Sequence, residues 1–285
     1  MAIERVGIVG SGIMGSGIAE VAAKAGATVV LRSRKQESAD AMVAGLGKSL
    51  AKQVSRGKLT EAEAEAISAR VSGTADLEAL ADCDLVLESV VEDLAIKKQL
   101  FAELDRIVKD GAILATNTST LPVVEMAVET KRPERVVGVH FFNPAPAMSL
   151  VEVIRTLVSS DETVAEAVAF AEACGKGPVV VEDRAGFIVN ALLFPYLNNA
   201  VRMLENRTAS RDDIDAAMKG GCNFPMGPLA LLDLVGLDTS LAILDALYTE
   251  FRDPNYAAVP LLRRMVVAGH LGRKSGQGFY DYAKK

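Results

Sequence analysis

Val6-Gly7-Ile8-Val9-Gly10-Ser11-Gly12-Ile13-Met14-Gly15-Ser16-Gly17-Ile18-Ala19 runs from a β-branched apolar segment into a glycine-rich turn and then into a helical pattern. Strand, turn and helix in that order make a weak Gly-x-Gly-x-x-Gly match specific for a dinucleotide-binding unit. Gly10 permits the tight turn, Gly12 lets a pyrophosphate approach the backbone, and Gly15 lets helix and strand pack closely. Ser11, Ile13 and Met14 complete the loop, and the unpaired N–H groups of the helix N-terminus suit an anion.

The same alternation continues through the first half of the chain. Strand-like runs at 6–9, 28–31, 85–87, 113–115 and 136–139 are separated by helix-period segments, the pattern of a parallel sheet covered on both faces. Met42, Val43, Leu46, Leu50 and Val54 recur at three- and four-residue steps, as do Ile96, Leu100, Leu104 and Ile107. Thr60 and Glu63 have capping-box spacing, so Gly57 is expected to separate two inserted helices between the second and third strands. Runs at 151–154 and 179–181 read as later strands, flanking a helix from Asp161 to a stop at Gly175. Beyond Arg184 helical patterns dominate, with a cap at Ser210 and a Pro-Met-Gly-Pro turn at 225–228. The reading gives a dinucleotide-binding domain at 1–184 and an all-α domain at 185–285. The Leu- and Ala-rich second part looks too apolar to be fully solvated alone, so a homodimer through it is expected.

Composition narrows the function. The chain has 285 residues, half of them apolar, and 31 basic against 37 acidic residues give a net charge of −6. A nucleic-acid binder would carry a basic surface, so none is expected here. Three cysteines at 83, 174 and 222 suit neither a disulfide framework nor a metal site and point to a cytoplasmic setting. No targeting stretch is visible, and the uncharged run 186–201 is too short for the roughly 20 residues a membrane span needs.

In a fold of this kind an acidic residue about 20 positions after the glycines binds the adenosine ribose. Ser33 stands there instead, 23 positions past Gly10 and flanked by Arg32, Arg34 and Lys35. A carboxylate would repel a 2′-phosphate, whereas a hydroxyl between guanidinium groups can bind it. NADP(H) is therefore expected, with NAD(H) as the alternative if the basic residues form a solvated turn and Glu37 serves the ribose.

The chain has two histidines. His140 ends a strand at the carboxyl side of the sheet, where ligands gather in open α/β folds, while His270 sits among helix-end glycines, where capping is the simpler role. Glu152 lies within the apolar run Leu150-Val151-Glu152-Val153-Ile154, and a carboxylate buried there needs a donor or cationic partner. His140 is the natural one; an exposed Glu152 on an edge strand is the alternative. Ser119 and Asn190 are polar groups that could face the same cleft. Lys48, Lys52 and Arg56 step by four residues along one helix face and could meet phosphates, or could simply be solvated.

These residues resemble the 3-hydroxyacyl-CoA dehydrogenase family over nearly the whole chain, and most nearly its stand-alone bacterial members acting on 3-hydroxybutyryl-CoA. The resemblance rests on the Gly10 motif, Thr-Asn-Thr-Ser from Thr116, and His-Phe-Phe-Asn-Pro-Ala-Pro from His140. Leu-Val-Glu-Val-Ile from Leu150, Gly-Phe-Ile-Val-Asn from Gly186, Pro-Met-Gly-Pro from Pro225, and Gly-Arg-Lys-Ser-Gly-Gln-Gly-Phe-Tyr from Gly272 complete it. It implies an α/β Rossmann-like N-terminal domain with an inserted helical pair, an all-α C-terminal domain and a dimer. It further implies hydride transfer between a nicotinamide and a (3S)-3-hydroxyacyl-CoA thioester, with His140 as general base, Glu152 as its partner, and Ser119 and Asn190 at the reacting group. Glu92, Lys97, Asn117, Ser119, Asn143 and Lys274 would belong to the cofactor site, and Ser49, Lys52 and Arg56 to the coenzyme A site. Two departures stand out: Ser33 replaces the family's ribose-binding Asp, and Thr120 replaces a serine. A free 3-hydroxy acid dehydrogenase would use a lysine where 186–201 has none, and a non-catalytic relative would not need the four site residues.

Overall fold

The computed structural model describes residues 3–283. The chain divides into two compact units, Met1–Asp183 and Arg184–Lys285.

The first unit opens with β1 (Arg5–Val9), α1 (Ile13–Lys24), β2 (Thr28–Arg32), α2 (Gln36–Ser55), α3 (Glu61–Ala69) and β3 (Val71–Thr74). It continues through β4 (Leu85–Glu88), α4 (Leu94–Ile107), β5 (Ile113–Thr116), α5 (Val123–Ala127), β6 (Val136–Phe141), β7 (Leu150–Arg155), α6 (Asp161–Ala173) and β8 (Gly177–Glu182). One sheet holds all eight strands in the order β3-β2-β1-β4-β5-β6-β7-β8. The order of strand addition reverses between β1 and β4, and every described strand pairing is parallel except β6 with β7. This is a Rossmann-like α/β fold.

The apolar runs became central strands because both faces of the sheet are covered. Val6, Ile8, Val29, Leu31, Leu85 and Leu87 are all buried in one core with Ile18, Ala19 and Ala22 of α1 and Met42, Leu46 and Leu50 of α2. Each such Leu or Ile contributes roughly 1.5–3 kcal/mol when fully buried. The inserted pair is α2 and α3. Gly57 takes φ +67° after α2, while the Thr60 hydroxyl and Glu63 carboxylate form both halves of a capping box at α3. Strand β3 lies outside the expected set. Its sequence, Val-Ser-Gly-Thr, offers Val71 as its one buried side chain and forms the outer edge of the sheet. Pairing with β2 made it a strand.

The second unit is helical: α7 (Val189–Glu205), α8 (Arg211–Cys222), α9 (Pro228–Val235), α10 (Leu237–Phe251) and α11 (Pro260–Val267). The uncharged run at 186–201 supplies most of α7, whose Phe194, Leu197 and Val201 pack with Leu229, Leu232, Leu244 and Leu247. Ser210 caps α8 through the Asp213 N–H. The His270 N–H returns to the Met265 carbonyl after α11, with Gly269 at φ +77°. Among the described residues no helix is long and apolar enough to cross a membrane.

Candidate active site

The hydrogen-bonded parallel strands β1, β4, β5 and β6 end along one edge, and the candidate site is assembled from the loops there. Gly10, at φ +135°, has no room for a side chain, since a Cβ would lie 2.2 Å from the Ser89 carbonyl oxygen. At Gly15 a Cβ would lie 2.4 Å from the Gly10 oxygen, so glycine sets the closeness of helix and turn. Gly12 differs: nothing lies within 4 Å of its Cβ position. It is also the N-cap of α1, with no side-chain cap and no acidic residue in the first turn. Exposed backbone and uncapped N–H groups fit a pyrophosphate.

A cleft of about 580 Å³ follows this turn, lined by Gly10, Ser11, Gly12, Arg32, Ser33 and Arg34. Val90, Val91, Ile96 and Leu100 give it an apolar wall, completed by Gln99 and Glu103. Neither Arg32 nor Arg34 is ion-paired among the described residues, and the buried Arg32 Nε has no hydrogen-bond partner. Ser33 is buried and its N–H donates to the Thr74 carbonyl, fixing the end of β2. Glu37 is exposed in the first turn of α2 and does not line the cleft.

Beside the cleft, Glu88 at the end of β4 and Lys97 on α4 are fully buried and paired, Nζ lying 2.7 and 2.8 Å from the two carboxylate oxygens. The Thr116 hydroxyl donates to Glu88 as well, at 2.7 Å. Sequence reasoning passed over Glu88, although a carboxylate closing the apolar run Leu85-Val86-Leu87 was a signal. Lys97 is only 1% exposed, and its Nζ also lies 3.2 Å from Oε2 of the more exposed Glu92. Glu92 also accepts from the Thr118 hydroxyl at 2.5 Å and the Ser119 N–H at 3.0 Å. Burial pushes the Glu92 carboxyl up, but the Lys97 charge and these donors outweigh it and hold the group below the usual carboxylate range. Thus Glu92 stays ionised and ties the loop after β4 to the loop after β5.

Asn117 performs the next tie, its Oδ1 accepting from the Phe141 N–H at 2.8 Å. This fixes the end of β6 immediately after His140. There the His140 Nδ1 lies 2.8 Å from the Glu152 Oε2, with both residues almost wholly buried. The two are register partners across β6 and β7. The Phe142 ring lies against the imidazole, centroids 4.5 Å apart. With Nδ1–H donating to the Glu152 carboxylate, the neutral imidazole carries its lone pair on Nε2, the arrangement a general base needs.

Two family models cover the chain: 3-hydroxyacyl-CoA dehydrogenase, NAD binding domain, over residues 5–184, and 3-hydroxyacyl-CoA dehydrogenase, C-terminal domain, over residues 186–282. The chain belongs to the 3-hydroxyacyl-CoA dehydrogenase family. It is 50% identical to a 3-hydroxybutyryl-CoA dehydrogenase of Mycobacterium tuberculosis, with 99% of each chain covered. Among solved structures it superposes on M. tuberculosis FadB2 with a TM-score of 0.96 at 50% identity, covering 99% of this chain and 100% of that one. The (S)-3-hydroxybutyryl-CoA dehydrogenase PaaH1 of Ralstonia eutropha matches with a TM-score of 0.96 at 43% identity and the same coverage.

The remaining positions suggested by the 3-hydroxyacyl-CoA dehydrogenase family fall in several places. Lys52 and Arg56 are exposed on α2, and the Ser49 hydroxyl donates to Glu20 of α1 at 2.8 Å. Asn143 is exposed just beyond β6. In the second unit, Asn190 is buried in the first turn of α7, and Lys274 pairs with Asp238 at 2.6 Å.

Proposed function

We propose that the protein interconverts (3S)-3-hydroxyacyl-CoA and 3-ketoacyl-CoA, with 3-hydroxybutyryl-CoA and acetoacetyl-CoA as the short-chain pair. The buried His140–Glu152 couple at the end of β6 carries this reading. A bound nicotinamide dinucleotide supplies the two-electron acceptor or donor for C3 of the thioester. Gly10, Gly12 and the start of α1 would hold its pyrophosphate, with Glu92, Asn143 and Lys274 toward its other end. His140 Nε2 takes the hydroxyl proton in the oxidative direction and returns it to the alkoxide in the reductive one. Glu152 holds the ring in place through Nδ1 and stabilises the imidazolium that forms during turnover. Ser119 and Asn190 hold the substrate oxygen in line, and Lys52 and Arg56 meet the coenzyme A phosphates.

NADP(H) is the preferred cofactor. Ser33 in place of a carboxylate, two guanidinium groups lining the cleft without ion pairs among the described residues, and an unsatisfied Arg32 Nε support this choice. A homodimer formed by the second unit completes the proposal.

Reduction of acetoacetyl-CoA and of free acetoacetate, each with NADPH and NADH, tests it in one spectrophotometric assay. Turnover of the thioester alone, fastest with NADPH, is expected. Turnover of neither compound, or of the free acid equally well, overturns the activity; a tenfold preference for NADH overturns the cofactor choice alone.

A further inference from the structure

Glu20 lies on α1 and is only 4% exposed, yet the proposed chemistry makes no use of it. Its carboxylate accepts three hydrogen bonds: Lys24 Nζ at 2.7 Å and Gln53 Nε2 at 2.8 Å on Oε1, and Ser49 Oγ at 2.8 Å on Oε2. Lys24 also donates to the Gln53 side-chain oxygen at 2.7 Å, which fixes the orientation of that amide. Burial alone would push the Glu20 carboxyl up, but Lys24, Gln53 and Ser49 together hold it below the ordinary range, so it is ionised at neutral pH.

A serine hydroxyl has one proton and two lone pairs, and an ionised carboxylate only accepts. The Ser49 proton is therefore committed to Glu20, and toward any further partner Ser49 can only accept. Gln53 Nε2, at 3.4 Å from Ser49 Oγ, is a long and weak contributor. Ser49, Lys52 and Arg56 recur at three and seven positions, which places them on one stripe of α2. Lys52 and Arg56 are exposed and without ion pairs among the described residues. The stripe thus offers two cations and one fixed acceptor. A phosphate is mostly deprotonated at neutral pH and is a poor donor to that acceptor, whereas amide N–H and hydroxyl groups donate readily.

We propose that Glu20 is a positioning residue that holds Ser49 as a hydrogen-bond acceptor for an N–H or O–H donor of the coenzyme A moiety beyond its terminal amide, leaving the phosphates to Lys52 and Arg56. This inference rests on the acyl-CoA reading above. The donor lies either in the inner amide and hydroxyl of the pantetheine arm or in the nucleotide.

Glu20→Gln tests the polarity of the site while nearly preserving its shape. Lys24 and Gln53 still donate, so the new amide turns its oxygen toward them and its N–H toward Ser49, whose proton is then driven outward. KM for acetoacetyl-CoA should rise about five- to tenfold, the scale of one lost hydrogen bond, with kcat and the cofactor KM changed less than twofold. The rise should vanish with acetoacetyl-N-acetylcysteamine. If it persists with acetoacetyl-pantetheine the donor lies in the pantetheine arm, and if it needs the full coenzyme the donor lies in the nucleotide; both support the proposal. Ser49→Ala should reproduce the rise, Ser49→Thr should restore the wild-type KM, and E20Q combined with S49A should cost no more than S49A alone. Should E20Q not fold, the Ala and Thr variants of Ser49 carry the test. A KM rise of equal size with all three thioesters, or none with acetoacetyl-CoA, overturns the inference. A wild-type protein inactive on acetoacetyl-CoA instead overturns the activity on which it rests.

Discussion

His140 and Glu152 stand directly opposite each other across β6 and β7, the one antiparallel pairing in the described sheet, with Nδ1 and Oε2 2.8 Å apart. Directly opposed residues on neighbouring strands project to the same face. The reversal of β7 therefore brings a carboxylate from 12 positions downstream alongside the imidazole, and burial of both shields the contact from water. Replacing the imidazole by a polar amide that cannot act as a base should isolate its contribution. His140→Gln is expected to lower kcat by about two to four orders of magnitude, the range for a positioned general base, while affinity for the reduced nicotinamide cofactor, read by its fluorescence, is retained. Wild-type turnover would remove His140 from the mechanism.

Cofactor choice should turn on one side chain at the end of β2. Ser33→Asp introduces a carboxylate into the cleft shared with Arg32 and Arg34. Like-charge repulsion with a 2′-phosphate should lower kcat/KM for NADPH by at least about tenfold, while a carboxylate can accept from the unphosphorylated ribose and improve use of NADH. Unchanged ratios of the two cofactors would show that the phosphate is not read here.

The three motif glycines should separate into two kinds. Gly12→Ala meets open space and ordinary backbone angles, so it should cost less than about 1 kcal/mol of stability but weaken cofactor binding markedly. Gly15→Ala drives a Cβ to 2.4 Å from the Gly10 carbonyl oxygen, and overpacking of that kind costs about 1–3 kcal/mol. Thermal melts paired with cofactor titration give both numbers. A Gly12→Ala variant that melts early and binds normally would reverse this assignment.

Acid stability should depend on Asp84, which accepts from the Glu4 and Arg5 N–H groups and from Lys109. Burial pushes its carboxyl up, but Lys109 and the two backbone donors outweigh that and hold it below the usual carboxylate range. A depressed folded-state value stabilises the fold above the unfolded carboxyl range near about 4, and this contribution is lost as pH falls through the lower folded-state value. Asp84→Asn should melt below wild type at pH 7, and the two curves should draw together as pH falls through the folded-state range of the Asp84 carboxyl. A gap in melting temperature that stays constant with pH would count against this linkage.

The strand-turn-helix of residues 5–24, the apolar central strands and the helix caps could all be read from the chain, because each is specified locally by periodicity, by a hydroxyl or carboxylate at a helix start, or by glycine where a side chain cannot fit. Thr60, Ser210 and Gly57 act within one turn of where they stand. What the sequence left open depends on partners far along the chain. The polar segment at 71–74 became β3 only by pairing with β2, and Glu88 became a buried ion-pair partner only when β4 and α4 packed together. Glu152 carried a cost of burial that demanded a partner, but the antiparallel register of β7 decided which atoms meet. The Ser49 proton is directed to Glu20 only because α1 packs beside α2. Local propensity fixes most of the elements; the edge strand β3 and the direction of a hydrogen bond between distant residues are set by packing.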